Sequence, residues 1–135
     1  MSTVKVNGKR EFFYTFMRYH AIQYGFNSRE IAVAAEFLYY RERFENHPLI
    51  TEEEDINDDG EVTIIKTELT TWQALKHVQT LAWMKTELEM SNSVFRVHVK
   101  GLAEKGFFSK GDIAKKFIPP KSFVATFKVQ MKNET

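Results

Sequence analysis

Arg96 and Lys100 stand one helical turn apart, and Asn92 and Ser93 lie about one turn before Arg96. Side chains of these types read base edges from a helix lying in a major groove. A guanidinium forks onto guanine and a carboxamide onto adenine. In the same segment Phe95, Val99 and Leu102 keep helical spacing and mark a buried face. The four polar residues therefore fall away from the core. Val94 and Val97 leave the apolar face too, open to thymine methyls or to a partner subunit. His98 borders the stripe and reads as a packed histidine. The competing reading of the polar face is an ordinary solvated one.

Downstream, Lys110, Lys115, Lys116 and Lys121 sit in SKGDIAKKFIPPKS. Lys110-Gly111-Asp112 suits a turn, and Pro119-Pro120 stiffens the chain that follows. Phe123, Ala125, Phe127 and Val129 alternate as on one face of a strand. Lysines on such a ribbon would touch phosphates, adding affinity without sequence information. Residues 91–132 hold nine bases against Glu104 and Asp112, a local net charge of +7. The chain total is only +1, because 52–61 holds seven acids and no base. It is the local field that steers a polyanion. A solvated lysine face is again the alternative.

Ser91 or Asn92 caps the second of two short helices, and Gly106 ends it in a left-handed conformation. Met90-Ser91 lie in the turn between those helices, Phe95 is the inward anchor, and Leu102-Ala103-Glu104-Lys105-Gly106-Phe107 lead into a basic hairpin. This order resembles the winged helix-turn-helix family of DNA-binding domains, over the C-terminal half of the chain. Glu89 stands where that family usually carries glycine, and Lys85 where it usually carries alanine. The resemblance implies a mostly α fold with a small antiparallel β-wing, here preceded by an N-terminal helical pair. It implies duplex DNA as partner, with contacts at Asn92, Ser93, Arg96 and Lys100 on the helix and Lys110, Lys115, Lys116 and Lys121 on the wing. Small winged helices with added helices and an acidic insertion look like phage or mobile-element proteins, serving as transcriptional regulators or replication-initiation accessories. The rival is a structural or assembly module, such as a phage-particle component, without DNA readout. The near-neutral total charge, the aromatic N-terminus and the two departures favour that rival.

Other chemistries find little footing. The four histidines, 20, 47, 77 and 98, have no metal-ligand spacing, and neither a phosphate-binding glycine loop nor a serine nucleophile motif is present. Asp55, Asn57, Asp59 and Gly60 match the start of an EF-hand loop, but its twelfth position is Lys66, whose ammonium would repel calcium. The segment reads as a solvated acidic turn that can lie against the basic face. No enzyme activity, metal, cofactor or small-molecule substrate is expected.

At 135 residues and 43% hydrophobic, the chain can bury one core. The absence of cysteine excludes a disulfide scaffold and fits a reducing compartment. With no apolar run of membrane length and no signal-like N-terminus, a cytoplasmic location is expected, in the host cell for a phage protein. Residues 1–51 hold 11 of the 19 aromatics and read as two helices, 9–24 and about 28–45, with Gly25 between them and Asn27–Glu30 as a capping box. This pair either packs on the rest or forms a homodimer interface. An acidic loop spans 46–61, and a short strand at 62–65 is available as the wing's third strand. Thr70 or Thr71 caps a helix from Trp72, and 81–88 is the first helix of the helix-turn-helix. The expected units are thus 1–51, 52–66 and 67–132, forming one compact body.

Overall fold

A computed structural model describes residues 8–120. Lys121 and the strand expected at 123–129 lie outside the described residues. The chain is mostly helical with two small antiparallel hairpins. In order it forms α1 (Lys9–Tyr24), α2 (Ser28–Asn46), β1 (Ile50–Ile56), β2 (Val62–Glu68), α3 (Thr71–Lys76), α4 (Val78–Leu88), α5 (Asn92–Glu104), β3 (Phe108–Ser109) and β4 (Asp112–Ile113). A 3-10 turn at Lys115–Phe117 follows. No helix among the described residues is long and apolar enough to cross a membrane.

Local signals set the helix boundaries. Gly25 adopts φ +75° and closes α1 by donating its N–H to the Ala21 carbonyl. Asn27 Oδ1 then accepts from the Glu30 N–H at 2.8 Å, and Glu30 Oε1 accepts from the Asn27 N–H at 2.9 Å. Such reciprocal capping satisfies two otherwise orphaned donors and contributes about 1 kcal/mol. Thr70 and Gln73 repeat the arrangement at α3. The break between α3 and α4 falls at His77, whose extended backbone ends one helix while its Nδ1 accepts the Gln79 N–H at 3.1 Å.

Central to the fold is α2, which packs against α1, α3, α4 and α5. That explains its apolar girth: Ile31, Val33, Ala34, Phe37, Leu38 and Tyr40 are all buried. Most of the N-terminal aromatics are spent inside this one chain. Phe12, Phe13, Phe16, Phe26, Phe37, Tyr40 and Phe44 are buried, and Tyr14, Tyr24 and Tyr39 pack on them. Each buried ring contributes roughly 2–3 kcal/mol. On α1, Tyr19 and Ile22 remain exposed.

Three expectations are corrected. Residues 50–56 are not loop but strand, and β2 pairs with β1 rather than with the downstream hairpin, from Ile50↔Glu68 to Ile56↔Val62. Acids can occupy a strand when both of its faces meet water, as here, and the turn at Asn57–Gly60 makes the local partner the cheapest one to reach. Gly60 at φ +79° and Asn57 Oδ1, which accepts the Asp59 and Glu61 N–H groups, shape that turn. Likewise, Lys115 and Lys116 lie on the 3-10 turn after the β3–β4 hairpin, not on its strands. That hairpin closes early because Gly111, at φ +72°, lets the chain reverse between Ser109 and Asp112.

Candidate nucleic-acid interface

The junction of α4 and α5 positions the candidate residues. Glu89 ends α4 in the left-handed region at φ 53°, and the Met90 N–H reaches the Lys85 carbonyl at 3.0 Å. This is the geometry that usually selects glycine. Ser91 then caps α5, its Oγ accepting the Val94 N–H at 3.3 Å. Phe95 and Leu102 are buried, and Val99 is half-buried. Phe95 stacks on Phe37 of α2 with ring centroids 6.4 Å apart. With that face fixed on α2, the orientation of α5 leaves Asn92, Ser93, Arg96, Val97 and Lys100 exposed.

Asn92, Arg96 and Lys100 succeed each other at four-residue intervals and line one side of an open groove of about 400 Å³ between α4, α5 and β3. Leu81, Phe95, Val99 and Phe108 form its apolar floor. Lys85 joins from α4, its Nζ donating to Asn92 Oδ1 at 3.2 Å. The sequence signal for Lys85 is a long cation where the resembling helix-turn-helix pattern carries alanine. Ser93 sits beside this line, its hydroxyl 3.4 Å from that of Ser91.

The downstream lysines divide. Lys110 is exposed at the β3–β4 turn, and Lys115 is exposed on the 3-10 turn. Lys116 Nζ lies 4.6 Å from the centroid of Tyr24 at the end of α1, a cation–π contact that ties it to the body. Lys105 is also drawn inward, its Nζ donating to buried Glu30 Oε1 at 2.6 Å. Burial alone would raise the Glu30 carboxyl. The hydrogen bonds from Lys105 and the Asn27 N–H hold it below the ordinary glutamate value instead. Among the described residues no carboxylate pairs with Arg96, Lys100, Lys110 or Lys115.

Nor do the described residues bring together three or more His, Asp or Glu side chains able to hold a metal ion. Asn57, at an EF-hand-like position, spends its carboxamide oxygen on backbone N–H groups, and Lys66 lies 3.7 Å from Glu52 across the hairpin. No known protein family, no curated protein and no solved structure matches the chain.

Proposed function

We propose that this chain binds duplex DNA as a winged helix-turn-helix protein, with α5 entering the major groove and the β3–β4 hairpin beside it. The observation that carries this reading is the exposed line Asn92–Arg96–Lys100 on a helix whose opposite face is packed on α2. Such a helix presents guanine- and adenine-reading groups on a fixed scaffold, which is what direct readout requires. Lys110 and Lys115 add cations suited to phosphates. In this reading α1 and α2 support the fold, and the protein serves a phage or mobile element as a transcriptional regulator or replication-initiation accessory.

A fluorescence titration with random duplex DNA at several salt concentrations tests this. The expected result is binding whose log K falls linearly with log salt, each phosphate contact contributing roughly 0.9 to the slope. If no association appears even at low ionic strength, the DNA reading falls, and α5 is better understood as an assembly surface.

A further inference from the structure

The β1–β2 hairpin stands uncovered on both faces. Every residue of its two strands except Thr51 is exposed. A two-stranded hairpin alone in water is at best marginally stable. This one also strings four acids, Glu52 to Asp55, along β1. Residues 50–68 hold eight acids against Lys66, a net charge of −7. The register places Ile56 opposite Val62, so Ile56, Val62 and Ile64 share one face near the tip, each more than half exposed. Asp58, Asp59 and Glu61 surround that apolar patch at the turn.

The groove between α4 and α5 is its complement in both respects. Leu81, Val99 and Phe108 offer apolar contact, and Lys85, Arg96 and Lys100 stand around them as cations. We propose that the hairpin tip of one molecule seats in this groove of a second copy. Ile56, Val62 and Ile64 meet the floor there, while Asp58, Asp59 and Glu61 meet the cations. The hairpin does not occupy its own molecule's groove, since its strands are exposed, and its base is held to the body. There the Leu69 N–H donates to the Leu49 carbonyl at 2.9 Å and both leucines pack on the core. Strands of seven residues put the tip about 20 Å from that base. Exchange between two copies is reciprocal, giving a closed two-fold pair in which each hairpin fills the other molecule's groove. Because Arg96 and Lys100 line that groove, the pair is a DNA-free form that covers the face proposed to read bases.

The test is a charge swap read by light scattering without DNA, so that it stands or falls apart from the DNA reading. One variant carries Asp58→Lys, Asp59→Lys and Glu61→Lys; the other carries Lys85→Glu, Arg96→Glu and Lys100→Glu. The unmodified protein is expected to be a dimer at micromolar concentration and low salt. Each variant alone should have the mass of a single chain, and their mixture should regain the dimer. A monomeric unmodified protein, a dimer indifferent to either swap, or a mixture that stays monomeric overturns the proposal. A second measurement avoids the multiple substitutions. The chain has no cysteine, so Ile64→Cys in one molecule and Ala103→Cys in another supply the only thiols. Mild oxidation should cross-link the mixed pair in preference to either variant alone, and the absence of that preference overturns the proposal equally.

Discussion

Arg41 in α2 holds Asp112 in β4 through two parallel hydrogen bonds, Nε–H to Oδ1 at 2.8 Å and an Nη–H to Oδ2 at 3.1 Å. A hairpin with two residues per strand cannot orient itself. This bidentate clamp, together with buried Ile113, sets it on the central helix and so fixes where Lys110 stands. Burial would raise the Asp112 carboxyl, but the Arg41 hydrogen bond and the Ile113 N–H hold it below the ordinary aspartate value. Its contribution is therefore complete above the unfolded carboxyl's pKa and is lost as pH falls through the lower folded one. Asp112→Asn should cost about 1 kcal/mol in urea denaturation at neutral pH, because the pair is partly exposed. The deficit should shrink toward zero in strong acid.

Glu30 and Gly101 form a second relationship of this kind. A methyl group at Gly101 would overlap the Glu30 carboxylate, which is tied in place by Lys105 and by its own cap. Glycine to alanine in a helix interior ordinarily stabilises by about 1 kcal/mol. Here Gly101→Ala should destabilise instead. In a Glu30→Ala background the same change should turn neutral or favourable, a coupling that a double-mutant cycle measures directly. If Gly101→Ala stabilises the unmodified protein, the close approach is not a constraint.

What could be read in the sequence follows from the range of the interactions. The caps at Asn27, Thr70 and Ser91 and the glycine ends at Gly25 and Gly106 depend on residues a few positions apart, and the apolar period of α5 is equally local. The clamp from Arg41 to Asp112 and the pair from Glu30 to Lys105 join residues more than 70 positions apart. Neither has a local signature, so Lys105 counts in the sequence as one more free cation. β1 was hidden for another reason. Strand patterns are recognised by a buried face, and ITEEEDI has none. A break between the helix from Trp72 and the one at 81–88 is expected from the sequence, but its position at His77 is not legible, because histidine is an uncommon cap, working here through a ring nitrogen.

Glu36 gives the folded protein a pH dependence of opposite sign. It is 3% exposed and meets Arg10 at 3.0 Å through Oε2 only. Burial pushes its carboxyl above the ordinary glutamate value, and the pairing with Arg10 offsets this only in part. The folded state thus keeps a proton that the unfolded state gives up sooner, so stability falls as pH rises from the unfolded pKa through the raised folded one. Glu36→Gln should remove that decline. Urea midpoints measured between about pH 4 and 7 should slope downward less in the variant than in the unmodified protein. Parallel slopes would mean the carboxyl is not perturbed.

Glu89 bears the left-handed turn without being glycine. That conformation costs a non-glycine residue about 1–2 kcal/mol, while glycine's extra freedom in the unfolded chain takes back about 0.5–1 kcal/mol. Glu89→Gly should therefore stabilise by about 0.5–1 kcal/mol, and Glu89→Val should destabilise. Thermal melts of the two variants decide. A loss on Glu89→Gly would reveal that the carboxylate contributes more than strain removes.

The DNA reading makes its sharpest demand on residues that differ in role. Lys110→Ala and Lys115→Ala should each weaken binding about equally on any duplex and shrink the salt slope by roughly one per lost phosphate contact. Arg96→Ala should cost about 1–3 kcal/mol on a preferred site and far less on random DNA, if its guanidinium pairs with a base. Lys116 is the internal control. With its ammonium over Tyr24, its removal should shrink the salt slope less than loss of Lys110 or Lys115. Titrations of these four variants on a selected site and on random duplex, each at several salt concentrations, separate positioning from readout. If Arg96→Ala behaves like the lysine variants on both duplexes, α5 contributes charge alone, and sequence reading must be sought elsewhere on the chain.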